Sequence, residues 1–105
     1  MKYLKYFEHI EEEPKIYDYV VAYRPYTTTD IANNTQPIVH LNYIDYTIEI
    51  GQIKKNKSDN YYNIFFPKSN TQFLRPKEHI LFSSPSLEET EEKLQTILDK
   101  KKFNL

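Results

Sequence analysis

The sequence predicts an α+β domain: an antiparallel sheet of about four strands with a C-terminal helix packed on one face. Three observations predict it. Apolar and aromatic residues alternate with a period of two over residues 16–24 and 44–50. A third such run, residues 61–66, follows the second after a polar turn, as in a hairpin. The C-terminal stretch switches to helical spacing, with Leu87, Leu94, Ile97 and Leu98 on one stripe.

Each element has its own signal. Tyr3, Phe7 and Ile10 share a face if residues 2–12 form a short helix, and Pro14 ends it. A strand over residues 2–7 is the alternative, because Tyr and Phe favour strands. In residues 16–24, Tyr17, Tyr19, Val21 and Tyr23 fall on one face and Ile16, Val20 and Ala22 on the other. Both faces are apolar, which predicts a central strand. Residues 25–37 read as a Thr/Asn-rich loop bracketed by prolines, long enough to be a contact loop.

Residues 38–53 read as one strand. Ile44, Tyr46, Ile48 and Ile50 form its buried row, and Asp45, Thr47 and Glu49 its wet row. The single glycine, Gly51, marks a bulge or bend. Residues 54–60 read as a polar turn, and Pro67 ends the strand at 61–66. Phe73 and Leu74 precede a last strand over residues 79–82.

Ser84-Pro85 has the form of an N-cap followed by proline at the first helical position. Ser86 with Glu89 fits capping-box spacing and would start the helix two residues later. Glu88, Glu89, Glu91 and Glu92 crowd the first turns and Lys100, Lys101 and Lys102 the last, as the helix dipole favours. The helix is expected to cover the row led by Ile44, Ile48 and Ile50.

Length and composition bound the function. The 105 residues suit one domain, read as residues 1–105. The net charge of −1 opposes general attraction to nucleic acid or acidic membrane. With no cysteine, disulfides, thiolate catalysis and Cys-ligated zinc are excluded. No apolar run approaches the roughly 20 residues of a membrane span. Acidic residues stand where a signal peptide would be apolar, so the expected location is cytoplasmic. Ile, Lys, Asn, Tyr and Phe make up 47 residues, a set with AT-rich codons, which points towards a virus or mobile element.

Motifs that carry chemistry are scarce. One glycine excludes phosphate-binding loops, whose backbone must approach the phosphate closely. His9, His40 and His79 have no metal-ligand spacing, and no metal or cofactor is expected. His40 and His79 could meet across the sheet as an acid–base pair, but two hydrogen-bonded histidines explain them as well. Asp45 and Glu49 lie about 13 Å apart on an extended strand, too far for paired catalysis, and read as a solvated face. Capping explains Ser83, Ser84 and Ser86.

One stretch has a functional shape. Residues 52–77 carry Lys54, Lys55, Lys57, Lys68, Arg75 and Lys77 against Asp59 alone. Together with Tyr61, Tyr62, Phe65 and Phe66 they place cations beside stacking surfaces, as single-strand nucleic-acid binders do. A sheet edge that carries lysine to block aggregation has the same composition. The expectation is therefore a non-catalytic protein-binding module, an inhibitor or regulator, with exposed Tyr as contact residues and a homodimer as one assembly. The alternative is a single-stranded nucleic-acid binder using residues 52–77.

Overall fold

The structure, a computed structural model, describes residues 13–103. The helix or strand expected over residues 2–12, with His9, lies outside them. Among the described residues six strands form one antiparallel sheet: β1 (Tyr19–Pro25), β2 (Val39–Leu41), β3 (Ile44–Ser58), β4 (Tyr61–Phe66), β5 (Thr71–Pro76) and β6 (Ile80–Ser84). Helix α1 (Thr28–Ala32) lies between β1 and β2, and a 3-10 turn (Lys77–His79) joins β5 to β6. Helix α2 (Leu87–Phe103) follows the last strand.

Six strands replace the expected four for two reasons. Residues 38–53 are not one strand. The chain reverses at Asn42 and Tyr43, whose φ angles of 51° and 68° are both left-handed. Leu41 then pairs with Ile44, and Val39 with Tyr46. Two successive left-handed residues are the mark of a tight hairpin turn, which normally carries glycine. The turn was hidden because here it carries none. The second reason is β5, which extends well beyond Phe73 and Leu74 to pair along all of β4.

The strand order is β5-β4-β3-β1-β6, with β2 set against the start of β3. The two ends of that path, β5 and β6, are joined by only the three residues of the 3-10 turn. The four steps from Pro76 to Ile80 reach roughly 14 Å, whereas the edges of a flat five-strand path lie about 19 Å apart. The sheet therefore curls into a barrel-like roll. Contact between β1 and β5, three strand steps apart, confirms the curl.

Pairing register assigns the two faces. Val20, Ala22 and Arg24 share a face with Gly51, Glu49 and Thr47, opposite them on β3. This face continues through Ile53, Ile64, Phe66, Tyr62 and Ile80 into the main core. The row led by Ile44, Ile48 and Ile50 is on the opposite face, where Tyr46 and Ile48 are buried and Ile50 half-buried, so the sheet is covered on both sides. Ile44 alone of that row is exposed, at 48%, at the hairpin end, and of the row expected to be wet Thr47 and Glu49 point into the roll while Asp45 stays solvated. Helix α2 lies on the face of Ile48 and Ile50, as expected, against β1, β6 and β3. There Lys93 places its ammonium 5.7 Å from the centre of the Phe82 ring, and Phe82 pairs with Val21.

Gly51 lies in continuous pairing, and no bulge forms at it. A Cβ there would stand 2.4 Å from Ile64 Cγ2, so close approach of β4 explains the glycine. The irregularities of β3 come later, between Ile53 and Lys55 and between Asn56 and Ser58. Residues 54–58 are strand, and the polar turn shrinks to Asp59 and Asn60.

The later of the two expected helix starts is the one used. Ser86 Oγ accepts from the Glu89 amide, and Thr90 donates its hydroxyl to the Ser86 carbonyl. The Glu89 carboxylate does not close a capping box. It accepts from the Ser84 hydroxyl, whose oxygen in turn accepts from the Ser86 amide.

Candidate contact surface and a buried ion network

The segment between β1 and β3 departs from the barrel and returns. It enters through Tyr26, whose amide donates to the Asp45 carbonyl at 3.0 Å. It returns at Ile38, whose amide donates to the Tyr46 carbonyl at 2.8 Å. Within it, Thr27 caps α1. Its hydroxyl oxygen accepts from the Asp30 amide, and its own amide donates to the Asp30 carboxylate. The loop expected over residues 25–37 thus contains a capped helical turn.

This excursion leaves most of its large apolar side chains in solvent, with Tyr26 and Val39 half-buried. Among the described residues ten large hydrophobic side chains are exposed, and Ile31, Ile38, Leu41, Tyr43 and Ile44 are five of them. Leu41 and Ile44 are directly paired, so they share one face of the β2–β3 hairpin. Tyr43 at its tip is 96% exposed. A bulky residue with left-handed φ costs energy relative to glycine, and no packing compensates Tyr43 for it.

Beneath the excursion lies a cluster of charges that alternation in the sequence did not locate. Arg24 is 2% exposed. It holds Asp30 with two parallel N–H···O bonds, of 2.7 and 3.0 Å, and Glu49 with a third, of 2.7 Å. The remaining Glu49 oxygen accepts from the amide and hydroxyl of Ser69. Asp45 and Glu49 therefore differ sharply. Asp45 is solvated and meets His40 at 2.6 Å, whereas Glu49 is buried in the roll.

Hydrogen bonding from Arg24 holds the Asp30 carboxyl below its ordinary pKa, against the opposing effect of burial. Burial alone would lower the pKa of Arg24, but the Asp30 and Glu49 bonds outweigh it and leave it raised. A polar cleft of about 220 Å³ opens between α1 and the barrel wall here, with Lys68 at its border. A readable sign of the cluster was the parity of Arg24 with Val20 and Ala22. Another was the spacing from Thr27 to Asp30, which is that of a helix cap.

The eight residues singled out in the basic stretch are dispersed. Lys54, Lys55 and Lys57 are exposed on β3, and Tyr61 is 45% exposed beside the adjoining turn. Lys54 lies 5.9 Å from the ring centres of both Tyr17 and Phe65. Tyr62 is fully buried, its hydroxyl donating to Glu13. Burial, reinforced by that carboxylate, pushes the phenol up to about 12. Lys77 pairs with the other Glu13 oxygen at 2.6 Å, and this bond is the main reason the Glu13 pKa is lowered. Arg75 stacks over Tyr46 and donates to His79 Nδ1 at 2.9 Å. Lys68 stands apart, at the cleft.

His79 packs edge-on to both Tyr23 and Tyr46. Burial, with the nearby Arg75 charge, lowers its pKa. His40 takes a different partner, Asp45, which is on the strand face opposite to Tyr46. The two histidines do not form a pair.

Among the described residues no three His, Cys, Asp or Glu side chains are grouped to hold a metal ion. No helix among them is long and apolar enough to cross a membrane. The chain matches no protein-family model, no curated protein and no solved structure.

Proposed function

We propose that this chain is a non-catalytic protein-binding module, an inhibitor or regulator, and that the β2–β3 hairpin is its contact surface. The observation that carries the reading is Tyr43. It is an almost fully exposed tyrosine held in left-handed backbone at a turn where glycine would be preferred. Its neighbours Leu41 and Ile44 extend the apolar surface down one hairpin face. Exposed tyrosine is enriched at interface centres, and apolar area beside it supports such a role. The charged groups near the hairpin satisfy one another, as His40 with Asp45 and Arg24 with Asp30 and Glu49. That mutual pairing supports recognition in preference to catalysis.

Photo-crosslinking tests the reading. A benzoylphenylalanine at position 43 should capture one dominant protein in extract of the source cells. The same group at Asn56 should not, and Leu41→Ser with Ile44→Ser should abolish the adduct. Equal or absent adducts at both positions would overturn the proposal. Capture of a second copy would identify a homodimer.

A second reading rests on Lys54 over Tyr17 and Phe65, with Lys55, Lys57 and Tyr61 nearby. These could bind single-stranded nucleic acid, though Tyr62 is too buried to stack on a base. That reading requires salt-sensitive oligonucleotide binding that Lys54→Glu, Lys55→Glu and Lys57→Glu together remove.

A further inference from the structure

The excursion between β1 and β3 is held down in an unusual way. Across residues 26–38 the one buried side chain is Asp30, and it is charged. No apolar side chain of this stretch reaches the core, and Ile31 points into solvent at 60% exposure. Its backbone bonds are largely internal. The Ile31 and Asn33 amides donate to the Thr27 and Thr29 carbonyls, and the Thr35 amide to the Asp30 carbonyl. Tyr26 closes the loop on itself through the Thr35 carbonyl. Between the two backbone bonds at Tyr26 and Ile38, the hydrogen bonds shown to the barrel all run from Arg24 to Asp30.

We propose that residues 26–38 are a lid over the polar cleft, latched by the Arg24–Asp30 ion pair, and that the lid opens while the barrel stays folded. The cleft has one wall from the lid, with Thr27, Asp30 and Asn33, and one from the barrel, with Glu49, Ser69 and Thr71. Opening exposes little apolar surface, because little is buried, so it lacks the hydrophobic penalty that makes barrel unfolding cooperative. It separates Asp30 from Arg24 but leaves Arg24 paired with Glu49, on the barrel side. No isolated charge remains buried within the barrel. The lid joins directly to the β2–β3 hairpin, but the opening does not depend on whether that hairpin binds a partner.

Amide hydrogen exchange of the full chain tests the latch. At low guanidinium, exchange of the Ile31, Asn33 and Thr35 amides should be nearly independent of denaturant, as for local opening. The Ile53 amide, bonded to the Asp18 carbonyl, should follow global unfolding. In Asp30→Asn the three lid amides should exchange at least about tenfold faster, with Ile53 changed much less. Thr27→Ala, which removes the cap hydroxyl but keeps the ion pair, should have the smaller effect. Lid and barrel amides sharing one denaturant dependence, or lid amides unmoved in Asp30→Asn, would overturn the proposal.

Discussion

One face of one sheet is closed in two different ways. Along β1 the inner face runs Val20, Ala22, Arg24; along β3 it runs Ile53, Gly51, Glu49, Thr47. The Val20 and Ile53 end is apolar, filled by Ile64, Phe66 and Tyr62. The Arg24 and Glu49 end is ionic, covered by a segment that contributes Asp30 and no buried hydrocarbon. Apolar closure is non-directional and tolerant of repacking. Ionic closure is directional and intolerant of losing a partner. The first kind makes the barrel-like roll, and the second latches an excursion against it.

Substitutions can break this contrast. The largest effect is expected at Arg24. Arg24→Met removes the latch of Asp30 and strands the Glu49 carboxylate in the roll, and should cost about 3–5 kcal/mol in urea denaturation, since an uncompensated charge cannot be left there. At the apolar end Ile64→Ala should cost about 2–4 kcal/mol through a cavity, with the slope of the transition unchanged. Gly51→Ala should cost about 1–3 kcal/mol, because its Cβ meets the same isoleucine from the other side. Combined with Ile64→Ala, the Gly51→Ala cost should shrink, and strict additivity would show that the clash is relieved elsewhere.

Acid sharpens the contrast by separating two groups. The pKa of His79 is depressed in the fold, so the unfolded chain binds its proton first. Stability is then complete above the ordinary histidine value of 6.5 and falls as pH drops below it. His79→Gln should flatten that slope. The Asp30 contribution is retained through this range and is lost only as pH falls below the ordinary aspartate value of 3.8. Thermal unfolding from pH 8 down to about 3 should therefore show two separate losses.

The smallest expected effect lies on the excursion. Tyr43→Gly relieves left-handed strain and should stabilise the hairpin by up to about 1 kcal/mol, read as a rise in Tm. Under the proposed function the same change removes the contact residue. A gain in stability with a loss of partner capture would separate the hairpin's role in binding from any role in folding. A loss of stability would show that Tyr43 packs in solution.

Much of the fold was legible because its signals are local. Residues 61–66 alternate as they pair, since each side chain's face is set by its own position in the pleat. The start of α2 at Ser86 was one of two capping options readable within six residues. The β2–β3 turn escaped because its left-handed residues are Asn and Tyr in place of glycine. The strand reading of residues 38–53 then carried Ile44 into the core, when it lies beyond the sheet's covered area.

Of the eight candidate contact residues, only Lys54, Lys55, Lys57 and Tyr61 stay together on the exposed β3–β4 hairpin. Charge and aromatic content are visible in a sequence, but the direction of each ring is not. Tyr61 and Tyr62 are neighbours on one strand, and the pleat alone sends the second into the core.

By itself, then, the sequence determined the class of the domain, the strong strands and the helix with its cap. These follow from backbone propensity, period and capping, which act over a few residues. Only the tertiary structure decided which face of the sheet was inside. Both faces of β1 are apolar, so the choice lay with the curl of the whole sheet and the short β5–β6 link. That choice turned Glu49 from a solvated side chain into a partner of Arg24, and set Asp30 above them both. Burial of a charge depends on what arrives from distant parts of the chain; the local pattern carries only the parity of Arg24 and the cap spacing of Thr27 and Asp30, and neither names the partner.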